Sequence, residues 1–159
     1  MPNTTPLGIG DVSYPNHIVV KTKIIKNALA ITKGNIYTPD SSGRLIVPVS
    51  TSGVADLTNG LFQAMDDAPA PTAEDTDSVQ CLSAKSRIIM KANSGLVVGS
   101  EVELKSSGST TTADTVMVAV QPKTKGYIGR IVEIYTESGG AQKTVTGSND
   151  LVIVETGAA

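Results

Sequence analysis

Apolar and polar side chains alternate in short runs along this chain, and clusters of turn residues separate the runs. Ile18-Val19-Val20-Lys21-Thr22-Lys23-Ile24-Ile25 is rich in β-branched residues, which fit a pleated, half-buried surface. Asn35-Ile36-Tyr37-Thr38 and Arg44-Leu45-Ile46-Val47-Pro48-Val49 flank Pro39-Asp40-Ser41-Ser42-Gly43, which predicts a hairpin with a loop longer than two residues. Glu101-Val102-Glu103-Leu104 has the period of a strand with one face in water. Its predicted hairpin partner is Thr115-Val116-Met117-Val118-Ala119-Val120. Residues 127–135, Lys143-Thr144-Val145 and Leu151-Val152-Ile153-Val154 predict closing strands. Only residues 53–65 carry a helical stripe, Val54, Leu57, Leu61 and Ala64, and Asn59-Gly60 breaks it, so 60–64 is read as a strand.

The runs repeat. Ile24-Ile25-Lys26, Gly34 and Ser41-Ser42-Gly43 recur 65 residues later as Ile89-Met90-Lys91, Gly99 and Ser106-Ser107-Gly108. Asn59-Gly60-Leu61-Phe62 answers Lys125-Gly126-Tyr127-Ile128 at 66, as one insertion would produce. Several landmarks keeping step argue for one small β unit stacked on another. The expected fold is all-β, with duplicated small β-barrel or sandwich lobes and little helix. The expected divisions are an extended N-terminal arm at 1–17, a first repeat at 18–66, an acidic Pro/Ala-rich loop and lead-in at 67–85, and a second repeat with C-terminal strands at 86–159.

Composition narrows the chemistry. A length of 159 residues suits one compact domain or two small lobes sharing a core. There is one His, one Cys and no Trp, and the formal net charge is −2, which gives no strong electrostatic claim on nucleic acid or an acidic membrane. Lys21, Lys23, Lys26 and Lys33 cluster near the start without an aromatic platform for base stacking, and are read as a solvated strand face. Cys81 lies in Val79-Gln80-Cys81-Leu82 and reads as a small buried hydrophobe. His17 has no second His or Cys to complete a metal shell. The carboxylates Asp66, Asp67, Glu74, Asp75 and Asp77 lack the spacing of a calcium loop, so they predict a solvated surface segment. No cofactor, no nucleic acid, no membrane and no enzymatic reaction are expected. The start of the chain lacks the pattern of a signal peptide, and the longest apolar runs are too short to span a bilayer as a helix, so synthesis in the cytoplasm is expected.

Two enzyme-like resemblances fail on their own residues. Ile89-Met90-Lys91-Ala92 is similar to the swinging-arm lysine domains, but Ala92 stands where the biotin class has a second Met. Gly126-Tyr127-Ile128-Gly129 is similar to one motif of the trimeric dUTP-hydrolysing enzymes, yet the chain lacks their glycine-rich, arginine-containing tail.

A third resemblance covers most of residues 18–154. Ala28-Leu29-Ala30-Ile31-Thr32-Lys33-Gly34-Asn35-Ile36-Tyr37 with Ser42-Gly43, Leu96-Val97-Val98-Gly99-Ser100-Glu101-Val102, and Gly126-Tyr127-Ile128-Gly129-Arg130-Ile131-Val132 carry it. Together they resemble the small β-rich capsid cement, or head decoration, proteins of tailed bacterial viruses. The resemblance implies a homotrimer on the outer surface of an icosahedral virion capsid, bridging major capsid protein subunits. A tail-associated or cell-surface β-rich adhesion module stays open as the alternative. In the arm, Pro2, Pro6 and Pro15 exclude a helix, while Leu7, Ile9, Val12 and Tyr14 are more apolar than a disordered tail requires. An extended segment of this kind can add to a sheet edge, so these four residues are the expected contacts to the capsid or a neighbouring subunit. An arm folded back on its own lobe is the other expectation.

Overall fold

The computed structural model describes residues 8–12, 18–51, 53–105, 115–119 and 123–157. Among these the chain is all-β, with no helix. The strands are β1 Val20–Ile24, β2 Ile36–Pro39, β3 Leu45–Ile46, β4 Ser50–Thr51, β5 Val54–Ala55, β6 Phe62–Ala64 and β7 Ser78–Ser83. They continue with β8 Arg87–Ala92, β9 Glu101–Lys105, β10 Thr115–Val118, β11 Tyr127–Tyr135 and β12 Leu151–Thr156.

The duplication is visible in the hydrogen bonding. The first lobe orders its strands β1-β7-β6-β2-β3, and the second β8-β12-β11-β9-β10. Registers match residue by residue. Val20 opposes Leu82 as Arg87 opposes Glu155, and Ala64 opposes Cys81 as Ile131 opposes Val154. Ile36 opposes Gln63 as Glu101 opposes Arg130, and Pro39 opposes Leu45 as Leu104 opposes Val116. Even the closure recurs: a parallel bridge joins Ile25 to Leu45, and another joins Ala92 to Val116. In the second lobe this pairing extends to Thr115 and Lys91 and completes a closed five-stranded barrel; the first lobe is a half-barrel. Barrels of this size remove the sheet edges that a flat sheet would expose.

Gly34 and Gly99 occupy equivalent places. Gly34 N–H donates to the Ala64 carbonyl and Gly99 N–H to that of Ile131, while Ala64 N–H returns to Asn35 and Ile131 N–H to Ser100. Both glycines have positive φ, 89° and 92°, and each precedes a residue whose N–H closes a tight turn, Asn35 to Thr32 and Ser100 to Val97. A glycine at that corner avoids the steric cost a Cβ would bring. At Gly129 the reason is closeness instead: a Cβ there would lie 2.0 Å from the Glu155 carbonyl oxygen. Register shifts on both sides of Gly129 bend β11, and such bulges help a sheet close on itself.

One large core joins the lobes. Ile36, Leu57, Leu61 and Leu82 pack into one cluster with Ile88, Met90, Val102, Leu104, Val116, Ile131 and Val154 of the barrel. Gln63, fully buried, ties them by donating its amide to the carbonyls of Gly34 and Ile89 at 3.1 and 2.8 Å. A second cluster, Ile25, Ile31, Tyr37, Leu45, Ala64, Val79 and Cys81, fills the half-barrel.

Several expectations are corrected. Glu103 is buried, because Thr124 folds over it and donates its hydroxyl to the carboxylate at 2.6 Å. Residues 143–145 form no strand; Val145 makes one isolated bridge, to Val97. The acidic segment is a loop within the first lobe, whose fifth strand, β7, follows it. Ala68 bridges Ile31, Asp67 accepts the Lys33 N–H at 2.8 Å, and Arg44 Nε meets Glu74 at 3.1 Å and Asp75 at 2.9 Å. Lys21 and Lys23 share a face as expected, the one that pairs with Cys81 and Val79; Lys21 is exposed and Lys23 half-buried, with its ammonium 4.8 Å over the Phe62 ring.

Candidate interaction surfaces

Of the four expected arm contacts, Leu7 and Tyr14 lie outside the described residues. Ile9 packs on its own chain. It sits against the cluster of Ile89, Leu151 and Ile153 on the outside of the barrel and directly over Gly34, where an added Cβ would meet its Cγ1 at 2.6 Å. Beside it Asp11 accepts from the Lys33 ammonium at 2.7 Å, which raises the Lys33 pKa through that hydrogen bond and the charge of the carboxylate. Residues 8–12 thus lie across the Thr32-Lys33-Gly34-Asn35 turn, while Val12 remains 39% exposed.

Exposed apolar side chains gather at two further places. On β1 the period of two puts Val20, Thr22 and Ile24 on the outer face, with Val20 and Ile24 exposed and Val19 beside them. On the second lobe Val97, Val98 and Val145 are exposed, next to a hollow of about 510 Å³ bordered by Val97, Val98, Gln142, Lys143 and Thr144. The sequence carried a signal for this second place: two β-branched residues precede Gly99 where the first copy has Thr32-Lys33.

The polar groups around these surfaces hold loops in shape. Asp150 accepts from the Lys143 ammonium and from Gly147 N–H, and both bonds hold its carboxyl below the usual carboxylate range. Hydrogen bonding to Arg44 does the same for Asp75. Burial pushes the Cys81 thiol up to about 12, so it stays protonated and unreactive at neutral pH. Among the described residues no group of three or more His, Cys, Asp or Glu side chains is placed to hold a metal ion; His17 lies outside them. Lys91 sits within β8 and not at a hairpin tip, unlike a swinging-arm lysine. Among the described residues no helix is long and apolar enough to cross a membrane.

No known protein family, curated protein or solved structure matches the chain.

Proposed function

We propose that this chain is a structural virion protein that binds the outer surface of an icosahedral capsid and stabilises it by bridging major capsid subunits. The observation that carries this reading is a body of a half-barrel and a closed barrel with a shared core and apolar side chains left at separate places on its surface, around β1 and around Val97 and Val98. A bridging protein needs a rigid spacer with several contacts, and linked contacts hold jointly even where each is weak. The resemblance of residues 18–154 to capsid cement proteins supports the same role. In this reading the protein self-associates as a homotrimer, as the resemblance implies, closed symmetry being the usual outcome of self-assembly, and performs no catalysis.

Arm residues Leu7, Val12 and Tyr14 are the proposed capsid contacts. Ile9 already serves its own fold, so it is left intact in the test. Purified protein is mixed with shells lacking it and pelleted. The native chain should co-sediment to saturation, and the L7S/V12S/Y14S variant should bind at least about tenfold less, a loss of roughly 1.4 kcal/mol. Equal occupancy by the variant would rule out the arm as the clamp, and no saturable binding by either would overturn the capsid reading.

A further inference from the structure

The two copies of one turn differ in a way their common fold does not require. Thr32-Lys33-Gly34-Asn35 and Val97-Val98-Gly99-Ser100 share the same closing hydrogen bond and the same positive φ at glycine. The first turn is built from polar residues and is covered: Ile9 lies over Gly34, and Asp11 pairs with Lys33. The second has valines at both positions, 48% and 56% exposed, and among the described residues, its two chain neighbours aside, no atom lies within 4 Å of where a Gly99 Cβ would sit. Since Thr-Lys builds this turn as well as Val-Val does, the turn itself does not require the valines. Bringing apolar area out of water is favourable by about 25 cal/mol per Å². Val145, 47% exposed opposite Val97, and the hollow beside Lys143 extend the same bare surface.

We propose that the Val97-Val98-Gly99-Ser100 turn docks an extended, glycine-flanked aliphatic segment of another protein chain, seated as residues 8–12 are seated on the first turn. The covered twin defines the occupant. Ile9 is flanked by Gly8 and Gly10, and Gly10 has to be small because a Cβ there would meet Gly34 N at 2.9 Å. The second turn therefore selects an aliphatic side chain between small neighbours. Val98 stands in the place of Lys33, so the cation that pairs with Asp11 is missing and the occupant is uncharged at that position.

The probe is a synthetic hexapeptide with the sequence of residues 7–12 carrying D11N, titrated into the isotopically labelled full chain. Amide resonances of residues 95–100 and 142–146 should shift in a saturable manner. The shifts should be lost in the V97T/V98K variant, which copies the first turn and so keeps the fold; unchanged resonances elsewhere in that variant check this. Shifts centred on residues 32–35, shifts that persist in the variant, or no shifts at millimolar peptide would each overturn the proposal.

Discussion

At Gly129 and Gly43 the same residue type answers to two different constraints. A Cβ on Gly129 would press into the Glu155 backbone at 2.0 Å, and a strand in the middle of a closed barrel has nowhere to go. Gly43 has open space and only a left-handed φ of 83°. Gly129→Ala should therefore cost about 3 kcal/mol, the upper end of ordinary overpacking. Gly43→Ala should cost about 1 kcal/mol, the strain of the left-handed region. Denaturant midpoints of the two variants check the order. Charge enters at the same scale. The carboxyls of Asp40, Asp56, Asp75 and Asp150 all titrate below their ordinary value of 3.8 in the folded chain. A depressed folded pKa contributes stability that is present above the unfolded value and lost as pH falls through the folded one. Thermal midpoints should hold steady above pH 3.8 and drop below it. Asp150→Asn should lower the midpoint at neutral pH, and the gap to the native chain should narrow in acid.

Among the elements, β12 is hydrogen-bonded on both sides, to β8 and β11, and its residues 151–154 are buried, whereas β3 and β4 are two-residue strands at sheet margins. Local opening follows contact density, so amide exchange should be slowest for Val152 and Val154 and fast in β3 and β4. The reverse order would mean that the barrel is not the stable unit. The repeat was legible from sequence because its turn needs glycine, which kept Gly34 and Gly99 in step. The match of Ile24 with Ile89 was two residues out. By hydrogen bonding Ile24 corresponds to Lys91 and Ile25 to Ala92, since the link from strand to glycine turn is two residues shorter in the second copy. A two-residue slip leaves every side chain on the same face, and a period-two pattern cannot detect it. Glu103 misled for another reason: a covering residue, Thr124, comes from a connection that alternation along β9 does not see. At the proposed contact surface, Ile9 and Val12 were legible as unusually apolar. That Ile9 would be held by Gly34 and the outer face of β8 and β12 depends on how the lobes stack, which no local pattern encodes.

For the whole molecule, fusing two copies of one barrel unit gives each copy freedom to specialise. The first lobe puts Lys21 and Lys23 where the second has the core residues Ile88 and Met90, and it lends Ile36, Leu57, Leu61 and Leu82 to the shared core. The second closes fully and keeps bare valines at its turn. Such a body spaces contact points at fixed separations, which is what bridging neighbouring subunits of a shell demands. The central claim is that this chain coats a capsid, and the copy number in purified virus particles tests it most directly. Stained gels calibrated with the pure protein should show it at a number comparable to the major shell protein. A handful of copies per particle would assign it to the tail, and its absence from particles would contradict the account.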